Sequence, residues 1–399
     1  MEVIYKKIED IFDFQKKSKF RAGDGIIDGL YPFYTSSSEL TKSINEFAYQ
    51  GKSLVFGTGG KPSIHFARDK FSTSADCIVI QKKEDFDIDT EFCFYYLKTN
   101  FQILERGFKG AGLKHISKEY IKKIKIPIPY KDGKPDLLTQ KRIAKVLSDA
   151  EKLIAKRKET IKLLDEFIKS TFLEMFWKNG DCLNLWSIDK IENYALPIKG
   201  SMRTGPFGSS LLHSEFTEKG DVKVLGIDNI ANNFFEVGKP RYISKEKYLK
   251  LKRYTVFPND VLISIMATNG KSAVVPENIP LSINTKHLAA ITLNTKKILP
   301  FYLKYAFQYH PYILTQIKKN MKGAIMGGLN LTIIKNILLP QPPVDLQKQF
   351  TNIVTKQRTL KEKFNQSLKE LENLYGSLSQ KAFKGELELS KISIIDKLL

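Results

Sequence analysis

The chain repeats itself, and a tandem copy forces a doubled architecture. Gln140-Lys141-Arg142-Ile143 returns 207 positions later as Gln347-Lys348-Gln349-Phe350, and the same offset carries Leu153 to Leu360, Leu164 to Leu371, Ser170 to Ser377 and Phe176 to Phe383. Just upstream, Gly112-Leu113-Lys114 and Ile126-Pro127-Ile128-Pro129 have counterparts in Gly328-Leu329-Asn330 and Leu339-Pro340-Gln341-Pro342. Earlier still, Thr58, Gly60, Lys61 and Ser72 match Thr268, Gly270, Lys271 and Ser282 at an offset of 210, and Tyr96-Leu97-Lys98 matches Tyr302-Leu303-Lys304. Elsewhere the halves differ freely. Two copies of one frame have kept their joints while their surfaces diverged.

Each half is a mixed globular part followed by a long helix. From Ile143, the positions Leu147, Ala150, Ile154, Arg157, Ile161, Leu164, Ile168, Thr171 and Met175 follow at alternating spacings of four and three, and eight of these ten are apolar. That is a coiled-coil seam, which needs a partner helix. The equivalent seam in the second half reads Phe350, Val354, Gln357, Lys361, Phe364, Leu368, Leu371, Tyr375, Leu378 and Ala382. Arg157, Gln357 and Lys361 are polar seam positions, which either fix register or reach out to water. Helices of some 40 residues are about 60 Å long and serve as spacers. Proline-rich stretches, Pro127 to Pro135 and Pro340 to Pro343, stand before each helix. In the globular parts, Val55-Phe56, Cys77 to Ile80, Ile124 to Ile128, Val222 to Leu225, Val261 to Ser264 and Leu288 to Ile291 read as strands. Glu91 to Phe101 and Pro300 to Gln308 read as helices with aromatic faces, packed in cores rather than stacked on bases.

With 399 residues, the chain exceeds one ordinary core. Lys and Arg number 64 against 43 acids, a net charge of +21, and no basic tail accounts for the surplus. Such a surplus points to a polyanion, with nucleic acid first, although it also serves solubility. The three cysteines, Cys77, Cys93 and Cys182, are too few for a disulfide framework and fit a reducing compartment. No apolar run approaches the length of a membrane span and the start lacks the apolar core of a secretion signal, so the expected location is cytoplasmic, with no membrane partner.

Motifs for catalysis fail on spacing. Gly51-Lys52-Ser53 and Gly270-Lys271-Ser272 end like a phosphate loop, but Glu46 and Ile265 stand where its first glycine belongs. Gly57-Thr58-Gly59-Gly60 has Pro62 in place of the third glycine of a dinucleotide loop. The histidines His65, His115, His213, His287 and His310 show no metal-ligand spacing, and no metal site is expected. Pro342-Pro343 lacks the flanking Asn/Asp and aromatic residue of a methyltransferase base-binding loop. The acidic residues do not cluster as a magnesium site for hydrolysis would require. The chain is expected to bind without reacting.

The order of these segments resembles the specificity subunit of type I restriction-modification systems over nearly the whole chain. Gly29-Leu30-Tyr31-Pro32-Phe33-Tyr34-Thr35, Gly110-Ala111-Gly112-Leu113-Lys114-His115-Ile116, Leu138-Thr139-Gln140-Lys141-Arg142-Ile143-Ala144, Gly205-Pro206-Phe207-Gly208-Ser209 and Pro258-Asn259-Asp260-Val261-Leu262-Ile263-Ser264 are similar to segments common in that family. The family more often has glycine at the position of Asn259, a departure that alters one turn. The resemblance implies an α+β fold with two mixed α/β target-recognition domains separated by two long antiparallel coiled-coil helices, in a pseudo-two-fold internal repeat. It divides the chain into target-recognition domain 1 (1–136), spacer helix 1 (137–178), target-recognition domain 2 (179–346), spacer helix 2 (347–389) and a C-terminal tail (390–399). Each recognition domain would read one half of a bipartite double-stranded DNA site. Because the domains differ, the halves should differ, and stiff spacers fix their separation. The helices would dock two modification (methyltransferase) subunits carrying S-adenosylmethionine, and restriction subunits would add ATP- and Mg-dependent translocation and cleavage. This chain itself would need no cofactor. The alternatives are a specificity subunit of another phage-defence methylation system, a self-sufficient methyltransferase or nuclease, which the missing motifs disfavour, and a scaffold that only joins other proteins.

Phosphate contacts supply affinity and base-edge contacts discriminate. Lys61, Arg68, Lys109 and Lys114 in the first half, and Arg203, Lys271, Lys319 and Lys322 in the second, lie near glycine-rich turns that can approach a backbone closely. Lys61 and Lys271 are repeat equivalents and are expected on phosphates. His65, Arg68, Arg203, Thr204 and Asn269 are candidates for base reading, arginine pairing with guanine and asparagine with adenine. The seam expected to hold the helices together runs through Ile143, Leu147, Ile154, Ile161, Leu164 and Ile168, and through Phe350, Val354, Phe364, Leu368, Leu371 and Leu378.

Overall fold

A computed structural model describes residues 2–265, 270–321 and 328–387. The chain divides into two compact units, residues 1–159 with 365–399, and residues 160–364. Each unit joins one globular part to the near half of one long helix and the far half of the other.

The sheets of the two units repeat one another. In the first unit a four-stranded antiparallel sheet runs in the order Phe12–Phe14, Cys77–Lys82, Ser53–Gly57, Ser63–Ala67. In the second the order is Met202–Thr204, Leu288–Ile291, Val261–Ser264, Ser272–Val274, again antiparallel throughout. A second sheet accompanies each, of three strands in the first unit and four in the second, where Thr255–Val256 adds on to Ser282–Asn284. Tyr31–Tyr34 pairs antiparallel with Lys42–Ile44 and parallel with Ser72–Thr73, as Val222–Leu225 does with Tyr242–Ile243 and Ser282–Asn284. Their central strands read as near-continuous apolar runs because both faces are covered, and Leu54, Val55, Val261, Leu262 and Ile263 are all fully buried. A third pairing closes each unit, Glu2–Lys7 on Lys125–Lys131 and Ile188–Lys190 on Leu338–Pro340. The strands and the two aromatic helices expected from the sequence are present, the helices spanning Thr90–Thr99 and Pro300–Tyr309.

Two glutamines show why the repeat is so clear at the head of the long helices. Gln140 and Gln347 are both fully buried. The Gln140 side chain accepts from the Asp89 N–H at 2.8 Å and donates to the Asp87 carbonyl at 3.4 Å. Gln347 accepts from the Leu299 N–H at 2.7 Å and donates to the Lys297 and Pro342 carbonyls at 3.0 and 2.8 Å. Each amide satisfies backbone groups leading into the neighbouring aromatic helix, and in the first unit the Asp89 N–H would otherwise be buried without a partner.

These hooks reset two of the alignments drawn from sequence. Asp89 and Leu299 lie 210 apart, so Phe92 falls on Tyr302 and Tyr95 on Tyr305. Phe92 packs on Phe383 at 5.4 Å between ring centroids, and Tyr302 on Phe176, the repeat equivalent of Phe383, at 4.9 Å. The match of Tyr96-Leu97-Lys98 to Tyr302-Leu303-Lys304 is therefore one helical turn out of register. Likewise Ser117 and Asn330 cap equivalent short helices, Lys118–Lys123 and Leu331–Asn336, each side chain accepting from the third N–H of its helix. That pairs buried Ile116 with buried Leu329 and leaves Leu113 without a counterpart there.

The long helices span Leu137–Phe176 and Val344–Lys384, 40 and 41 residues. They run antiparallel in each unit. In the first, the Tyr375 hydroxyl donates to Glu151 at 2.8 Å and Lys158 pairs with Glu372 at 2.8 Å. In the second, Lys361 pairs with Asp165 at 2.6 Å and Phe172 packs edge-on against Phe350. No position of either expected seam is exposed, whereas Leu163, Phe167, Leu360 and Leu374 on other faces are. The helix ends enter the cores. Ile143, Leu147 and Ala382 belong to that of the first unit, and Ile168, Phe172, Phe350 and Val354 to that of the second. Of the polar seam positions, Lys361 is held by its ion pair, and the Gln357 side-chain oxygen is buried without a protein partner. Among the described residues, no helix is long and apolar enough to cross a membrane.

Candidate nucleic-acid interface

Each four-stranded sheet contains a β-hairpin whose two ends face different surroundings. In the first unit, Lys52 and Arg68, at the open end of Ser53–Gly57 and Ser63–Ala67, line a 300 Å³ cleft with Lys141, Lys145 and Ser148 of the first long helix. In the second unit, Asn259, Val275 and Glu277 line a 330 Å³ cleft with Thr355, Arg358 and Glu362 of the other helix. The hairpin turns thus lie at the ends remote from the long helices, about 16 Å away in the first unit for a five-residue strand. Gly60 and Gly270 stand in these turns with φ of 82° and 81°, a left-handed conformation that glycine adopts without strain.

Three loops meet at the remote end of the first unit. The segment Lys109–His115 closes on itself through reciprocal backbone bonds of 2.9 and 3.0 Å between Lys109 and His115. It is seated on the hairpin turn by Gly60 N–H to the Lys114 carbonyl and Ile116 N–H to the Thr58 carbonyl, both 3.0 Å. The His115 ring lies so close over Gly59 that a Cβ there would come within 3.1 Å of it. The third loop, Thr35 to Ser38, is tied in by Ser63 Oγ donating to the Ser36 carbonyl at 3.2 Å and by a 2.8 Å bond between His65 Nε2 and the Ser37 carbonyl. Lys61, Lys109 and Lys114 are all exposed on this surface. Beside it opens a 530 Å³ cleft lined by Phe14, Lys16, Lys17, Thr58, Cys77, His115 and Lys118 among others, with no carboxylate in its lining. Lys118 stands 5.0 Å over the Phe14 ring.

The candidates sort accordingly. Lys61, Lys109 and Lys114 come together. His65 sits behind them, its imidazole pushed below its usual range by burial and its ring against Tyr34, so it holds the serine loop in place. Arg68 lies at the opposite end of the hairpin, where it pairs with Glu91 at 2.5 Å. In the second unit Lys271 is half-buried at the turn, and Thr204 is half-buried at the turn end of its strand, opposite Ala289. Lys319 is exposed on the helix Pro311–Met321. Asn269 and Lys322 lie outside the described residues.

Arg203 requires a correction. It is buried, and its guanidinium is consumed inside the unit by Asp260, the Thr255 carbonyl and Thr292. It is an internal strut, enclosed too deeply to reach a base. Asn259, next to Asp260, has φ 65°, a left-handed turn that glycine and asparagine adopt more readily than other residues. Lys16, Lys17, Lys118 and the serine loop were missed because they reach this surface from distant segments. The Lys16-Lys17 doublet was the one local signal.

Nothing in the clefts looks like reaction chemistry. The Cys77 thiol is pushed up to about 11 by burial, which keeps it protonated and unreactive at neutral pH. Among the described residues no group of three His, Cys, Asp or Glu could hold a metal ion.

Two copies of one fold on a pair of long helices, the first with polar loops gathered at the end remote from those helices, define a tandem recognition protein. The chain belongs to the type I restriction modification DNA specificity domain family, whose model matches residues 2–163 and 207–373. It is the non-catalytic DNA specificity component of such a system, which works with DNA and with other subunits. Over 383 residues it is 22% identical to the type I restriction enzyme MjaVIII specificity subunit of Methanocaldococcus jannaschii, covering 88% of this chain and 86% of that protein. It is 28% identical over 173 residues to the EcoBI specificity subunit of Escherichia coli, 42% of this chain and 36% of that one. The fold matches the crystal structure of a type I restriction-modification S subunit from M. genitalium with a TM-score of 0.65 at 16% identity, covering 96% of both chains.

Proposed function

We propose that the remote loops of each unit read one half of an asymmetric, split DNA sequence. Residues 1–136 and 179–346 act as the two target-recognition domains, 137–178 and 347–389 as the spacers between them, and 390–399 as a tail. Two modification subunits carrying S-adenosylmethionine dock on the spacer helices, and restriction subunits supply ATP- and Mg-dependent chemistry. The assembly works in the cytoplasm. The observation that carries this reading is the order of the four-stranded antiparallel sheet, repeated strand for strand in both units while their loop sequences differ, which is what two unlike readers built on one frame require. Lys61, Lys109 and Lys114, with Lys16, Lys17 and Lys118 of the adjoining cleft, supply phosphate contacts in the first unit. Lys271, Lys319 and Lys322 do so in the second, while Thr204 and Asn269 face bases.

The test is an exchange of residues 1–136 for the corresponding part of another family member, followed by sequencing of the adenine methylation it directs in the host. One half of the methylated motif should change while the other half and the gap stay fixed. An unchanged motif, or one changed in both halves, would defeat the proposal.

A further inference from the structure

The sequence repeat sets Leu113 against Leu329, yet the two have opposite fates. Leu329 is 3% exposed in the core of the second unit, whereas Leu113 is 67% exposed because Ile116 takes the packing position in the first. An isolated surface leucine is ordinary. This one stands near the tip of a loop closed at its base by the reciprocal Lys109–His115 bonds and seated on the hairpin turn through Gly60 and Thr58. Gly110, with φ 142°, and Gly112, with open space around its Cα, leave little beside Leu113 at the tip except the small Ala111 methyl. Lys109 and Lys114 flank it on the loop, and Lys61 follows the turn beneath. A preformed loop thus presents one branched aliphatic group between cations, at the end of the unit remote from the long helices.

We propose that Leu113 is an apolar wedge: when the loop meets duplex DNA, its side chain enters the minor groove and partly unstacks one base step while Lys109 and Lys114 hold phosphates on either side. The proposal rests on the DNA-reading function above. Leucine has no group with which to read base edges by hydrogen bonding, but side chains of this kind do open base steps, and the deformation energy depends on which step is opened. Leu113 therefore adds sequence preference where no polar contact exists.

The test uses the full chain with its modification subunits and a duplex carrying the motif mapped from host adenine methylation, with 2-aminopurine moved base by base through it. Wild-type complex should raise the fluorescence at one step. Leu113→Ala should abolish that rise and weaken binding ~10-fold, with the slope of log K against log salt unchanged, while Leu113→Phe keeps the rise. Lys109→Ala and Lys114→Ala should each reduce the salt slope by about 0.9 and keep the rise. Wild-type affinity or a persisting rise in Leu113→Ala overturns the wedge. So does the absence of any rise in the wild type, as contact with a thymine methyl alone would give, or a defect confined to co-purification with the modification subunits. If wild-type complex fails to prefer the motif duplex over a scrambled one, the DNA-reading function itself falls instead.

Discussion

Arg203 illustrates how the same chemistry serves recognition or structure depending on burial. Asp260, which it meets, is fully buried and also accepts from the Phe257 N–H and the Thr292 hydroxyl. Burial pushes the Asp260 carboxyl up, and the guanidinium is the strongest influence opposing that. Removing one partner of such a pair leaves a charge in a dry site, so Arg203→Met should destabilise the second unit by about 3–5 kcal/mol in urea unfolding. A base-reading arginine would instead alter the methylated motif at constant stability. His310 makes a second case in the same unit. It is fully buried, 3.8 Å from the Cys182 sulfur and edge-on to Trp177, and burial lowers its pKa to about 4. A depressed folded-state value means the imidazole supports folding fully above 6.5, and that support is lost as pH falls from 6.5 through about 4. The loss should reach roughly 3 kcal/mol at the acid end, and His310→Gln should flatten it. Both tryptophans, Trp177 and Trp186, belong to this unit, so their fluorescence during urea titrations at neutral and acid pH checks the point.

The glutamine hooks tie the head of each long helix to the start of an aromatic helix. Gln140→Ala would strand the Asp89 N–H in a fully buried site and leave a small void. It should cost about 2 kcal/mol, with Gln347→Ala costing at least as much because that side chain makes three hydrogen bonds. Thermal unfolding of both variants measures this. Elements of this kind were legible in the sequence because they are local and shared: the seams, the glutamines and the buried strands recur at fixed offsets. Alignments failed where identity was short. Leu113 and Leu329 look alike in sequence, and only the helix caps at Ser117 and Asn330 show that they occupy different places. The remote surface was only partly legible. Lysines beside glycine turns could be picked out, but nothing local ties Thr35–Ser38 or Lys16-Lys17 to a hairpin turn some twenty or forty residues on. Arg203 misled for the converse reason, since its partner Asp260 is far away in sequence.

The division of the chain into compact units does not follow its order. The first unit is completed by residues beyond 364, which arrive only after the whole second unit has been built. Phe383 packs on Phe92 and Tyr96, Ala382 is buried in the same core, and Tyr375 donates to Glu151. Glu151 also accepts from Lys98, so the aromatic helix and both long helices converge on one carboxylate. A chain ending at residue 364 therefore retains every residue of the first globular part and loses a wall of its core. Phe383 is half-buried, so truncating it alone should cost somewhat less than the roughly 3–5 kcal/mol typical of a fully buried phenylalanine. Loss of the whole segment, with Ala382 and Leu378, should be comparable to the roughly 5–15 kcal/mol that stabilises an ordinary domain. The second unit, residues 160–364, keeps all of its own contacts in the same truncated chain. The expected result is selective: hydrogen exchange at Ser53–Gly57 and Cys77–Lys82 accelerates to nearly unprotected rates while Val261–Ser264 and Leu288–Ile291 stay protected, and tryptophan fluorescence is unmoved. Equal protection in both sheets would mean that the first unit folds without its distal helix, and that the repeat is two independent domains rather than two units closed by each other's helices.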